Sequence, residues 1–254
     1  MNVRLPAVSN QFYSGSKEKL KLQIEEFLNK AKNFKIKPKC IIVPHAGYEY
    51  SGKIAAFGYK QLLNLTKKNW KIILLGPSHY FSFFGAVFSN FEIWRTPFGD
   101  IKAIQPKISE QIFEFTEAHI PEHCLEVQMP FLQYVLKNIE IMPLLLGEIN
   151  PQDLAKEINS YLDKNTLLII SSDLSHYHSY KDAYKIDTLT NNIISNLDIE
   201  NAKQIEACGK TAIITGLYLA KLNNWKCKLL AYANSGDMTN EKNKVVSYSS
   251  FAFY

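Results

Sequence analysis

The sequence predicts an α/β domain of three layers, a largely parallel central sheet with helices on both faces, and three observations lead there. Short apolar runs alternate with amphipathic stretches from residue 20 to the end, as expected for strands buried on both faces and the helices that cross between them. Several of the apolar runs stop at glycine or proline turns, for example Val43-Pro44 and Leu75-Gly76-Pro77. A chain of 254 residues with 46% hydrophobic content is long and apolar enough to close a full core. No Pro-, Gly- or Ser-rich stretch, block of like charge or internal repeat divides it, so residues 1–254 are read as one domain.

Each element has a local reason. Leu20, Ile24, Phe27, Leu28 and Ala31 recur at helical spacing and define the first helix, and Cys40-Ile41-Ile42-Val43 then reads as a buried strand. A helix is expected from about Gly52 to Leu65, followed by the strand Lys71–Leu75 and a strand-rich, loop-rich section through Trp94. Helices are expected around Ile108–Thr116 and over Leu125–Lys137, the second kinked by Pro130, which lacks an amide donor. Ile141–Leu146 is a strand, Pro151–Leu162 a helix opening on a proline, Thr166–Ile170 a strand and Asp182–Leu197 a helix. Helical segments begin at Asn201, break near Cys208-Gly209 and resume through Leu222. Strands Lys228–Tyr232 and Val245–Phe253 close the chain, the last alternating loosely enough to be antiparallel or at an edge.

Charge and cysteine content exclude several functions. The net charge of +5 comes almost wholly from scattered lysines, Arg4 and Arg95 being the only arginines. Nucleic-acid recognition favours clustered charge and arginine forks, so a nucleic-acid partner is not expected. No apolar run approaches the length of a membrane span, and residues 1–13 lack a signal-peptide pattern, so a cytoplasmic protein is expected. Cys40, Cys124, Cys208 and Cys227 lie far apart without a CxxC pair and are read as reduced thiols.

The chemistry collects at strand ends. Three apolar runs each deliver a histidine: Ile41–Val43 leads to His45, Ile72–Leu75 to His79, and Leu167–Ile170 through Asp173 to His176. In open parallel sheets the carboxyl ends of the strands line the ligand crevice, so these histidines are expected to converge. Asp173 and His176, three apart, suit a carboxylate that orients an acid/base imidazole or supports a metal ligand. Cys208-Gly209-Lys210 precedes an apolar helix, so the helix start is expected to lower the thiol pKa and make Cys208 a nucleophile or a soft metal ligand. His123 has acidic neighbours in Glu122 and Glu126, whereas His119 and His178 are expected at the surface. Trp94-Arg95-Thr96-Pro97-Phe98-Gly99 reads as a pocket wall or a hairpin.

Taken in order, these motifs resemble one family. Arg4-Leu5-Pro6-Ala7-Val8, Pro44-His45-Ala46-Gly47-Tyr48, Gly76-Pro77-Ser78-His79, Arg95-Thr96-Pro97, Glu122-His123 with Glu126, Ser171-Ser172-Asp173, His176, Cys208-Gly209 and Asn234-Ser235-Gly236-Asp237 follow the order of Memo proteins across essentially the whole chain. The resemblance implies a fold like that of class III extradiol ring-cleaving dioxygenases, with Cys208 in place of their ligand carboxylate. It implies one transition metal, Fe(II) or copper with zinc as a further choice, held by His45, His79 and Cys208. Asp173, His176 and His123 would then be catalytic residues, and Tyr48, Trp94 and Arg95 would contact substrate. A redox or oxygen-handling metalloprotein is the function implied, acting on an unidentified small molecule or peptide and functionally linked to a radical-SAM protein. The alternatives are a Cys–His hydrolase or transferase and a metal-free module that binds a peptide or small anion.

Overall fold

A computed structural model describes residues 2–65 and 69–254. In chain order the elements are β1 (Val3–Arg4), α1 (Lys17–Lys30), β2 (Cys40–Val43), α2 (Tyr48–Leu62), β3 (Trp70–Pro77), β4 (Ala86–Phe88), β5 (Ile93–Thr96), β6 (Gly99–Ala103) and β7 (Ile112–Glu114). They continue with α3 (Thr116–His119), α4 (Met129–Val135), β8 (Ile139–Leu146), α5 (Pro151–Asn159), β9 (Thr166–Ser171) and β10 (His176–His178). The chain ends with α6 (Tyr180–Ser195), α7 (Lys210–Leu222), β11 (Cys227–Asn234), α8 (Ser235–Thr239) and β12 (Val245–Phe253).

Among the described residues the strands form one mixed sheet with the path β1-β5-β6-β8-β3-β9-β2-β12-β10, while β11 pairs with β12 and β4 with β8 and β7. Its centre, β8-β3-β9-β2, is parallel, with Leu75 opposite both Leu144 and Ile170, and Ile42 opposite Ile170. These strands are buried on both faces, which is why they read as continuous apolar runs. Alternation then sorts their side chains into two cores. Ile41, Val43, Ile72, Leu74 and Ile169 pack with α1, α2 and α4 through Leu20, Ile24, Tyr59 and Phe131. Ile42, Ile73, Leu75, Leu168 and Ile170 face α5, α6 and α7 through Leu154, Ile158, Ile194, Ile213 and Leu217. The three-layer arrangement with helices on both faces is therefore present, and it is compatible with a dioxygenase-like fold.

Three local expectations change and a fourth, for the last strand, resolves to one of its two alternatives. The helix expected over Ile108–Thr116 is instead a turn built on the Ser109 hydroxyl, followed by β7, whose residues pair in parallel with Ala86–Phe88. A non-local strand partner overrides the local pattern there. The helix expected over Leu125–Lys137 splits into a 3-10 turn at Glu126–Gln128 and α4, and Pro130 lies in the first turn of α4, where a missing donor does no harm. Helix α2 starts at Tyr48 rather than Gly52, because Gly47 caps it and its carbonyl accepts the N–H groups of Tyr50 and Ser51. Strand β12 is antiparallel but not an edge, since it pairs with β2, β10 and β11.

Candidate metal centre

Because β3, β9 and β2 are neighbours in that order, their carboxyl ends abut, and the turns that leave them face one another. His45 follows β2 by two residues, and its main-chain N–H donates to Asp173 Oδ1 at 2.8 Å, tying the turn after β2 to the turn after β9. Cys208 reaches the same place from the start of α7, its N–H donating to the Asp173 carbonyl at 3.3 Å. Gly209 makes that approach possible. A Cβ there would lie 2.7 Å from Ser172 Cβ and 2.8 Å from the Ser171 carbonyl oxygen, and its N–H donates to Ser172 Oγ at 2.9 Å.

One ring nitrogen from each of His45, His79 and His123 lies within 4.8 Å of the others. The His79 and His123 rings stack with centroids 4.7 Å apart, and His45 stands edge-on to both at 5.3 and 5.5 Å. Their tautomers follow from the partners. The Ser171 hydroxyl has a single hydrogen, which it gives to the Cys124 carbonyl at 2.7 Å, and it accepts from Gln128 Nε2 at 2.8 Å. His45 Nδ1, 2.9 Å from Ser171 Oγ, must therefore be the donor. Its lone pair is then on Nε2, which sits 3.2 Å from Cys208 Sγ and 4.0 Å from Asp173 Oδ2.

His79 is held in the same way. Its Nδ1 is 2.9 Å from Glu122 Oε1, and its main-chain N–H donates to Glu122 Oε2 at 2.7 Å. Burial alone would raise the Glu122 carboxyl, but the hydrogen bond and charge of His79, with the N–H groups of His79 and Cys124, hold it at about 2. An ionised carboxylate only accepts, so His79 Nδ1 donates, and in the neutral ring the lone pair is on Nε2. His123 Nδ1 faces the same carboxylate at 3.3 Å without forming a hydrogen bond.

His45 and His123 are kept neutral. Burial, with the neighbouring His79, pushes His45 down to about 3, and burial with His45 pushes His123 down to about 4. Burial raises Asp173, opposed by the His45 N–H bond. Cys208 departs from expectation. It lies just before the cap residue Gly209 rather than within the first turn of α7, and burial with the charge of Asp173 pushes its thiol up to about 12. Desolvation outweighs the helix dipole here. The N–H of Asp173 still donates to Sγ at 3.2 Å, a partner that a thiolate would keep.

Beside the cluster opens a cleft of about 440 Å³, walled by Phe12, Tyr50, His123, Asp173, His176 and Tyr248. A second opening, lined by Pro77, Ser78, Phe81, Phe84, Glu148 and Cys208, borders the thiol side. Among the described residues no helix is long and apolar enough to cross a membrane.

The profile of the family described as Memo-like protein matches residues 4–252. The chain belongs to the Memo family. Among its relatives are MEMO1 family proteins of Aquifex aeolicus, 34% identical with 100% of both chains covered, and of Sulfurisphaera tokodaii, 35% identical with 99% of both covered. A MEMO1 family protein of Methanobrevibacter smithii is 34% identical with 99% of both chains covered.

Within this Memo protein the residues singled out from sequence divide into two groups. His45, His79 and His123 form one group, Cys208 and Asp173 meet it at His45, with Cys208 outside the group of three, and His176 lines the cleft from β10. Asp173 spends Oδ1 on the His45 main chain, and among the described residues no hydrogen bond joins it to His176. Tyr48 lies elsewhere, buried against Tyr13 and Phe131 with its hydroxyl donating to the Val127 carbonyl. Trp94 is buried under the Arg4 guanidinium, and exposed Arg95 makes a two-pronged bond to Asp100 at 2.7 and 2.9 Å in the β5–β6 hairpin.

His119, expected at the surface, is fully buried, with Nε2 3.0 Å from the Val87 carbonyl. His178 is partly exposed and meets Glu206 at 2.5 Å. The residues sequence reasoning did not single out for the site are Glu122 and Ser171, which orient the two imidazoles, and Tyr50 and Tyr248 on the cleft wall. Glu122 carried a signal as the acid directly before His123, and Ser171 as part of the Ser171-Ser172-Asp173 run.

Proposed function

We propose that this Memo protein is a transition-metal protein of redox or oxygen chemistry, its ion held by His45, His79 and Cys208, with iron or copper preferred and zinc a further choice. The observation that carries the reading is that both imidazoles are held through Nδ1, by Ser171 and by Glu122, which leaves Nε2 of each ring as the nitrogen available to an ion. A metal-binding histidine commonly donates its other N–H to a carboxylate, backbone carbonyl or water, as His79 does to Glu122, and the Ser171 hydroxyl fills that place for His45. Bonds of about 2.1 Å to nitrogen and 2.3 Å to sulfur separate two ligands by roughly 3.1–3.6 Å. The 3.2 Å between His45 Nε2 and Cys208 Sγ fits that spacing. Two imidazoles and a thiolate suit iron, copper or zinc and leave positions open for a ligand.

When bound, iron or copper supplies Lewis-acid and one-electron chemistry. The chain does the rest. Neutral His45 offers its lone pair without first losing a proton, and Cys208 gives up its proton on coordination. His176 stands on the cleft wall where an imidazole can take or return a proton to a bound molecule, and Phe12, Tyr50 and Tyr248 add aromatic surface to that wall. The metal-free alternative, a Cys–His nucleophile, is disfavoured because a thiol at about 12 facing an imidazole at about 3 does not form a thiolate–imidazolium pair.

Metal analysis and EPR of anaerobically purified protein test the reading. One iron or copper per chain is expected. A protein that arrives without metal and refuses iron, copper and zinc would overturn it.

A further inference from the structure

Behind the imidazoles lies a buried ion pair to which the metal reading gives no task. Arg4 and Glu126 are 2% and 1% exposed, with Nη1 and Oε2 2.7 Å apart. Stripping two charges of water costs several kcal/mol per ion, so such a pair contributes little net stability over an apolar replacement. Its hydrogen bonds indicate another use. Arg4 Nε donates to the His119 carbonyl at 2.8 Å and Nη2 to the Glu122 carbonyl at 2.5 Å, so one guanidinium grips the segment that leads into Glu122 and His123. Glu126 in return accepts the N–H groups of Ala7 at 2.7 Å and Val8 at 3.1 Å and the hydroxyl of Tyr13 at 2.7 Å.

Every one of these bonds runs between residues 4–13 and residues 119–126, and each segment supplies part of the centre. Residues 119–126 carry Glu122, which orients His79, and His123 itself. Residues 4–13 carry Phe12, whose ring meets His123 with centroids 4.8 Å apart and whose carbonyl accepts the Tyr48 N–H at 2.7 Å, just beyond the His45 turn. We propose that Arg4 and Glu126 are positioning residues of the metal centre, a clamp that sets Glu122, His79 and His123 by fastening the N-terminal segment to the loop before α4.

The proposal rests on the metal reading above, and its test separates the two. Co(II) binding is measured by chelator competition and by the visible spectrum of the bound ion in the wild type, Glu126→Gln, Arg4→Lys and Tyr13→Phe. Ile158→Val, buried in the opposite core, is the control for a general loss of stability. Imidazole NMR signals of His79 and His123 are recorded for each metal-free protein. Glu126→Gln and Arg4→Lys are expected to weaken Co(II) binding by about 10- to 100-fold and to alter the spectrum and the two imidazole signals. Tyr13→Phe, which removes one neutral hydrogen bond and keeps the ion pair, should shift the same readouts less and serves if the charged variants do not fold. Ile158→Val should leave all of them unchanged. Folded Glu126→Gln or Tyr13→Phe with wild-type Co(II) affinity, spectrum and imidazole signals overturns the clamp. A wild type that does not bind Co(II) counts against the metal reading instead, and the imidazole signals then decide the clamp, unchanged signals overturning it.

Discussion

Two clefts of nearly equal size lie at opposite ends of the central strands, and their walls differ in kind. The one at the carboxyl ends, about 440 Å³, is lined by His123, Asp173, His176 and aromatic rings. The one at the amino ends, about 450 Å³, is lined by Asn69, Lys71, Lys102, Asn138, Glu140 and Asn165. Its lysines are exposed and paired, Lys71 with Asp163 at 3.6 Å and Lys102 with Glu140 at 2.6 Å. Volume therefore does not distinguish a site from a groove. At the carboxyl ends, ionisable groups are drawn out of water and fixed by partners that select one tautomer. At the amino ends, charges remain solvated and screened, and each pair is worth little.

The sharpest way to break this contrast is at the two imidazoles. His45→Ala and His79→Ala should each remove most of the bound metal with the far-ultraviolet circular dichroism unchanged, whereas Lys71→Ala should not affect it. Full occupancy in both histidine variants would dissolve the distinction between the two ends.

Acid stability offers a second contrast, this time between His119 and the cluster. Burial pushes His119 down to about 4 although it has no part in the imidazole group. A folded pKa below the unfolded 6.5 means that its contribution is complete above pH 6.5 and is lost as pH falls through about 4. Between pH 7 and 4 the wild type should lose about 3 kcal/mol more than His119→Gln, read from denaturant midpoints. Equal acid sensitivity would mean that His119 is not buried and neutral.

His176→Ala should keep metal affinity within roughly 10- to 100-fold of the wild type, since the residue lines the cleft without joining the imidazole group. It should still abolish proton-dependent turnover or small-ligand binding. Complete metal loss in a folded variant would promote His176 to a ligand.

The pH dependence of metal affinity is a smaller effect per unit. With His45 and His123 already neutral and the thiol at about 12, coordination releases the Cys208 proton, so affinity should rise about tenfold per pH unit across neutrality. Calorimetry in buffers of different ionisation enthalpy counts the proton, and a count of zero would remove Cys208 from the ligands. Least of all, Lys102→Ala should change stability by at most about 1 kcal/mol, as expected of an exposed pair. A larger loss would mean that the amino-end cleft is not the passive groove described above.

Local sequence was enough to place His45, His79 and Asp173 at strand ends, because an apolar run followed by a Gly/Pro turn is complete within a few residues. The same locality made the parallel centre and most helices legible. It failed where the outcome depended on a distant partner. Ile112–Glu114 became a strand because Ala86–Phe88 offers it an edge, and His119 was drawn inward by the Val87 carbonyl. Cys208 illustrates the limit most clearly. Its nearness to a helix start is written in the sequence, but its thiol pKa depends on how much water Ser172, Asp173 and His45 exclude from it. Burial is a property of the assembled fold, since a group loses its water only when residues remote in the chain close around it. For the same reason Glu122, Ser171 and Tyr50 joined the centre only once strands and loops from five stretches of chain had been packed together.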